Sequence, residues 1–169
     1  KIMMEVGIDP GETGHEGGDL QFDVEGNLWI STGDDSYPQA IDGYAPMNES
    51  LPTQNALGTS ANSQDLRGKI LRIRPQADAS YTIPNGNLFA DLEQGRPEIY
   101  VMGLRNPFRF HFDDRTQTLY WGEIGPDANE DHPERGPRGY DEFNRTKAPG
   151  FFGWPLFILF LDIKSCTVD

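Results

Sequence analysis

Cysteine is nearly missing from this chain of 169 residues, where Cys166 stands alone. No internal disulfide and no cysteine-rich metal site can form, and the count is neutral on compartment because large secreted domains need no disulfides. Basic residues are scarce as well: 14 Lys and Arg face 27 Asp and Glu, a net charge of −13. An acidic surface repels phosphate backbones and anionic lipid, which disfavours nucleic acid and anionic membranes as partners. Arg67, Lys69, Arg72 and Arg74 come nearest to a basic patch, yet strand alternation puts Lys69 on the face opposite Arg72 and Arg74. They read as the charged ends of a solvated strand. Long apolar runs are also lacking. Leu156-Phe157-Ile158-Leu159-Phe160-Leu161 has six residues, whereas a membrane-spanning helix needs ~20. The opening Lys1-Ile2-Met3-Met4-Glu5-Val6 turns acidic too soon for a signal peptide and reads as the middle of a strand, so the chain is expected to begin inside a larger protein.

What the chain does have is 19 Gly, 13 Pro, ten Phe, six Tyr and three Trp. That mixture suits short strands joined by elaborate turns and not a helical bundle. Two tight hairpins are expected, over 20–23 and 28–32 and again over 108–112 and 118–122, each alternating apolar and polar residues around a turn-forming segment. Asp23 and Asp113 hold the same place before each turn. Between the hairpins, 69–73 and 98–102 read as strands, and 140–145 as one more after them. A four-stranded antiparallel unit that then starts again is how a β-propeller blade looks in sequence. The expected fold is therefore all-β, a partial β-propeller of four-stranded antiparallel sheets. Loops at 35–66, 75–97 and 127–139 are rich in turn formers and long enough to be functional. The propeller segment is set at 1–155, and 156–169 is an apolar tail, either a buried strand or a truncation artefact.

Of the three histidines, His15 stands out because glycines flank it in Gly14-His15-Glu16-Gly17-Gly18 at the head of the first hairpin. Imidazole titrates near neutral pH without perturbation, so a histidine in a glycine-lined turn is a candidate proton acceptor, or else a turn residue capping a backbone group. His111 and His132 have no second ligand at metal-site spacing. The acid pairs Asp34-Asp35 and Asp113-Asp114 read as turn formers. Trp29 and Trp121, at similar places in the two hairpins, read as packing residues.

Five motifs in order resemble the glucose/sorbosone dehydrogenase family of soluble quinoprotein sugar dehydrogenases. They are His15-Glu16-Gly17-Gly18-Asp19-Leu20 with Gly26-Asn27-Leu28-Trp29-Ile30-Ser31-Thr32-Gly33-Asp34, then Asn62-Ser63-Gln64-Asp65-Leu66-Arg67-Gly68-Lys69-Ile70-Leu71-Arg72-Ile73, Gly103-Leu104-Arg105-Asn106-Pro107-Phe108, Gly122-Glu123-Ile124-Gly125-Pro126, and Asp141-Glu142-Phe143-Asn144 with Gly153-Trp154-Pro155. The resemblance implies a six-bladed propeller, of which this chain holds about two blades, and an aldose dehydrogenase using pyrroloquinoline quinone (PQQ) and Ca²⁺. It implies His15 as the base that takes the C1 hydroxyl proton while hydride passes to the quinone. Arg105 and Asn106 match the family's pair at the cofactor, with Arg105 also stabilising charge on the reduced quinone. Gly125 and Pro126 match the residues whose backbone carbonyls ligate the calcium, a hard cation that prefers oxygen. Asp141 matches a carboxylate at the cofactor site. Glu142, next on the strand, is expected to face away.

The chain departs from the family pattern at Ile124, where an amide side chain stands, and at Gly14, where an aspartate does. An insertion over 128–139 separates Gly125-Pro126 from Asp141. The main basic clamp for the three PQQ carboxylates belongs to later blades in the family. The resemblance further implies an aldose substrate, an electron acceptor, the remaining blades as partners, and a periplasmic or secreted location. The piece is expected to be inactive by itself. The competing reading is a non-catalytic propeller that binds protein or carbohydrate.

Overall fold

The computed structural model describes residues 1–11 and 14–157; residues 158–169 of the expected tail lie outside that range. Among the described residues there are nine strands, two short 3₁₀ turns at Ala40–Gly43 and Pro52–Gln54, and no α-helix. Strands β1 (Gly17–Phe22), β2 (Leu28–Thr32), β3 (Lys69–Pro75) and β5 (Ile99–Met102) form one antiparallel sheet in that order, and the two-residue β4 (Tyr81–Thr82) pairs with β3. Strands β6 (Pro107–Asp113), β7 (Thr118–Glu123) and β8 (Glu142–Thr146) form a second. Both hairpins fall where alternation put them. Their turns are closed by the two matched aspartates. Asp23 accepts from the Glu25, Asn27 and Trp29 N–H groups, and Asp113 from the Arg115 N–H and the Thr116 hydroxyl. Burial works to raise the Asp23 carboxyl, and the donors from Trp29, Asn27 and Glu25 outweigh it, leaving it below the usual carboxylate range.

The second sheet departs from the four-stranded expectation. After β8 the chain does not add a fourth strand there. It returns to the first sheet, where β9 (Gly150–Phe151) runs parallel to β5. The ladder continues past β9 through Phe152 N–H to Met102 O (2.9 Å) and Trp154 N–H to Gly103 O (3.0 Å). This crossing brings Trp154 to the end of β5.

The core lies between the sheets. Trp29 stacks on Phe112 (4.5 Å between centroids) and meets Tyr100 edge-on, with Ile70, Leu104, Leu119 and Trp121 around them. Trp29 and Trp121 are packing residues, as expected. A second cluster of Leu66, Leu71, Ile99 and Met102 covers the other face of the first sheet. Strand β1 inverts the usual pattern, since Leu20 and Phe22 are 64% and 61% exposed. Its polar side chains face the second sheet and serve the free edge of β6. Asp19 accepts from Phe110 N–H, and the Gln21 amide both accepts from Phe112 N–H (2.9 Å) and donates to Phe112 O (3.1 Å). An edge strand with open backbone groups is thereby satisfied by side chains.

The reading of β3 as a solvated strand is wrong. Four of its first five residues are buried, and Lys69 is fully buried. The loop before β3 folds over the strand, and the Lys69 ammonium donates to the carbonyls of Thr59 (2.8 Å), Ser60 (3.0 Å) and Arg67 (2.6 Å). Those three bonds use every donor of the ammonium and offset part of the cost of burying it. Arg72, on the opposite face, covers Trp29 and Tyr100.

Candidate active site

The site forms where the ends of β1, β2, β5 and β7 meet. His15 has φ +52°, in the left-handed region, and the Gly17 and Gly18 that follow at +71° and +116° turn the chain into β1. Between Leu20↔Ile30 and Gly17↔Thr32 the hairpin register shifts by one residue. Continued two residues past Gly17↔Thr32, that register sets residue 15 against residue 34. There the His15 Nδ1 lies 2.9 Å from Asp34 Oδ1, both side chains buried. Gly33 makes the approach possible. A Cβ at that position would stand 1.6 Å from His15 O.

Asp34 is fully saturated. Its Oδ1 also accepts from Ser36 N–H (3.0 Å), and its Oδ2 from the Ser36 hydroxyl (2.8 Å) and the Trp154 indole N–H (2.7 Å). Its own N–H donates to Arg105 O (2.8 Å). A carboxylate so held fixes the neighbouring imidazole with Nδ1–H toward it and leaves the Nε2 lone pair free.

Arg105 and Asn106 follow β5 directly. Glu123 Oε1 accepts both of their backbone N–H groups, at 2.8 and 2.6 Å. The Asn106 side chain reaches back to the histidine loop and accepts from Gly17 N–H (3.0 Å). The buried Arg105 guanidinium donates to Ile124 O (3.2 Å), lies 3.6 Å from Asp127 Oδ2, and sits over the Trp154 ring at 5.7 Å. Burial lowers its pKa, with Asp34, Asp127, Glu123 and Asp141 pulling the other way. Three of the expected residues, His15, Arg105 and Asn106, thus share one hydrogen-bonded neighbourhood.

Beside it is a small cavity of about 20 Å³ whose wall includes Arg105, Glu123, Gly125, Pro126, Glu142 and Trp154. Gly125 and Pro126 therefore reach the site. Asp141 is placed one step away, its Oδ1 accepting from Gly125 N–H (3.0 Å). The expectation for Glu142 fails: as the cross-strand partner of Glu123 it lines the cavity instead of facing away. Glu123 Oε2 is buried with no hydrogen-bond partner. Burial pushes the Glu123 carboxyl up to about 8, against the lowering effect of the Asn106 and Arg105 N–H groups and with Asp34 and Glu142 adding to the rise. The Pro126 carbonyl stands where a Cβ on residue 139 would be, so Gly139 lets the insertion close on this turn. Ile124 is partly exposed at 37%. Among the described residues, no group of three or more His, Cys, Asp or Glu side chains is arranged to hold a metal ion.

Two blade-like antiparallel sheets packed face to face suit part of a β-propeller, and comparison with known proteins agrees with that fold. The profile of the family described as Glucose / Sorbosone dehydrogenase matches residues 6–160. The chain belongs to that family. It is 30% identical over 142 residues to the aldose sugar dehydrogenase YliI of Escherichia coli K12, covering 84% of this chain and 29% of that protein. It is 28% identical over 151 residues to the HIPL2 protein of Arabidopsis thaliana, covering 82% of this chain and 18% of the relative. Among solved structures, an oxidoreductase (glucose dehydrogenase) from Thermus thermophilus aligns with TM-score 0.60 and 25% identity over 91% of this chain and 36% of its own. The soluble aldose sugar dehydrogenase of E. coli in its apo form aligns with TM-score 0.51 and 28% identity, over 83% and 30%. The chain spans less than a third of the length of these curated relatives. Its fold is part of a β-propeller, and no helix among the described residues is long and apolar enough to cross a membrane.

Asp34, Trp154 and Glu123 join the site although the sequence reading gave them no role in it: all three stand inside the quoted motifs, and Asp34 reads there as a turn former. Asp34 was legible in principle, through the hairpin register that opposes it to His15. Trp154 and Glu123 depend on the return of β9 and on the β5–β6 turn, which no local pattern encodes.

Proposed function

We propose that this chain carries the base and part of the cofactor cradle of a quinoprotein aldose dehydrogenase acting on the C1 hydroxyl of its sugar. The buried His15–Asp34 pair beside Arg105 and Asn106 is the observation that carries the reading. Asp34 holds the Nδ1–H, Nε2 takes the hydroxyl proton, and the carboxylate stabilises the imidazolium that results. Pyrroloquinoline quinone, when bound, supplies the hydride acceptor. Arg105 fits such a group, since its planar fork can hold a quinone oxygen or carboxylate, and Asn106 stands next to it. One arginine does not neutralise three carboxylates, and the family resemblance assigns the rest of the clamp to later blades.

A calcium ion fits the cavity at Gly125 and Pro126. The unpartnered Glu123 Oε2 and the Glu142 carboxylate on the same wall are hard oxygen donors of the kind Ca²⁺ prefers. A space of about 20 Å³ holds an ion or a water and not a three-ring quinone. The cofactor is therefore assigned outside that cavity. Asp141 fixes the turn through Gly125 N–H. The family resemblance supports a periplasmic or secreted location.

The test is dye-linked aldose oxidation by the full-length protein supplied with PQQ and Ca²⁺. His15→Gln is expected to lower kcat by about 10²–10⁴-fold, the usual worth of a positioned general base. Full activity in that variant would remove His15 from the role. Calorimetry with no PQQ binding to the calcium-loaded protein would favour the non-catalytic binding module.

A further inference from the structure

Of the four hydrogen bonds to the Asp34 carboxylate, two come from Ser36, two residues along the same loop, and one from His15. The fourth comes from Trp154, 120 residues away. Ser36 moves with the loop that carries Asp34, so its bonds set local shape. The Trp154 indole is the side-chain bond that fixes Asp34 relative to the other half of the site. Trp154 is well placed for this. Its backbone N–H donates to Gly103 O, two residues before Arg105, and its ring lies under the Arg105 guanidinium. It is 5% exposed, so the indole N–H bond is made in a dry environment, where an unmade one is costly.

We propose that Trp154 is a positioning residue that sets the base and the cofactor arginine against each other, the indole N–H holding Asp34 Oδ2 and the ring face carrying Arg105. This rests on the reading of His15 as the proton acceptor. A base must meet its proton within hydrogen-bond reach, and the hydride acceptor must sit at a fixed distance from the same carbon. In this chain His15 comes from the β1 hairpin and Arg105 from the end of β5. Backbone bonds already join the two segments, from Asp34 N–H to Arg105 O and from Gly17 N–H to the Asn106 side chain, and Trp154 adds the side-chain link that sets the Asp34 carboxylate against the Arg105 guanidinium. The groups facing the pair are Lys69, Arg105 and Glu123 around Asp34, and the Asp35–Arg67 ion pair beside the His15 carbonyl.

Trp154→Phe in the full-length protein keeps a ring under Arg105 and deletes the N–H. NMR of ¹⁵N-histidine-labelled protein, without sugar or PQQ, reads the His15 Nδ1–H, assigned by its loss in His15→Gln. The expected result is an upfield shift and faster solvent exchange of that proton. In the loaded enzyme, kcat falls up to about 10²-fold while KM changes little, as a misplaced reacting group requires. An unchanged Nδ1–H signal, with only a lower melting temperature, assigns Trp154 a merely structural role and overturns the proposal. If Trp154→Phe fails to fold, the unsubstituted protein decides. One indole N–H resonance must lie downfield and exchange slowly with solvent, as the 2.7 Å bond to the buried Asp34 carboxylate requires, and its absence overturns the proposal. These signals need no turnover, so they separate this inference from the base assignment, which stands or falls on the activity of His15→Gln.

Discussion

Gly33→Ala is the sharpest perturbation available, because it adds one methyl group against one backbone. The new Cβ would stand 1.6 Å from His15 O and 2.2 Å from His15 C. A carbon and an oxygen in contact need a little over 3 Å, so the His15 peptide must retreat by roughly 1.5 Å. That movement breaks the Asp35 N–H bond to His15 O (3.2 Å) and pulls Nδ1 away from Asp34. Over-packing of this kind costs ~1–3 kcal/mol. Because a displacement of about 1 Å at a reacting group costs on the order of 10²-fold, kcat is expected to fall by at least that factor. Gly33 is not among the glycines with positive φ, so backbone strain does not confuse the result. Gly7→Ala is the control, a glycine with nothing within 4 Å of its would-be Cβ. Urea unfolding and steady-state aldose oxidation of the full-length protein measure both effects. A Gly33→Ala variant as stable and as active as Gly7→Ala would refute the placement of His15 against the hairpin.

Three further outcomes follow from the same structure. Burial brings the Lys69 ammonium down to about 7 from its ordinary range, with Asp65 opposing, Arg67 adding to the fall and Asp34 opposing. The unfolded chain then binds more protons than the native one between pH 7 and about 10.4, and native stability rises with pH in that window; the difference in urea midpoint between wild type and Lys69→Met should grow between pH 7 and 9, and a constant difference would contradict it. Gln21→Leu removes two bonds to β6 and is expected to cost ~1–3 kcal/mol, whereas Arg115→Gln, on an exposed polar side chain in the second hairpin turn, should stay within about 0.5 kcal/mol; the reverse order in thermal melts would sink the account of the sheet junction. The 169-residue chain expressed alone should self-associate and show no aldose oxidation, since Leu20, Phe22, Val24 and Phe143 are all exposed. A monomer in sedimentation with a cooperative melt would contradict that.

Local pattern carried the hairpins, because period-two alternation and turn chemistry act over a few residues. Asp23 and Asp113, read from matching positions, close their turns in the same way. Strand β1 shows the limit. Its alternation is real, yet the side that faces the protein is the polar one, because the neighbouring sheet offers backbone groups there and not side chains. Lys69 was misread for a related reason: its three acceptors are carbonyls, and carbonyls leave no trace in a sequence. Asp34 looked like a turn former and is one, accepting from Ser36, while also orienting the histidine. Glu142 was placed on the wrong face by simple alternation from Asp141, which precedes the strand and does not share its pleat. His15, Arg105 and Asn106 were found through family resemblance. Their hydrogen-bonded contact depends on β5 ending beside β2, a long-range pairing.

The junction between the two sheets has a consequence for how this protein can vary over time. Asp19 and Gln21 recognise the main chain of Phe110 and Phe112 and not their side chains. Every residue but proline presents the same N–H and C=O, so the two sides of the contact are under unequal constraint. Residues 19 and 21 are pinned in identity, while 110 and 112 answer only to the core they fill. Mutational drift in one sheet can therefore proceed without compensating change in its neighbour. A ring assembled from such joints can diverge sheet by sheet while the geometry that brings His15 to Arg105 stays in place.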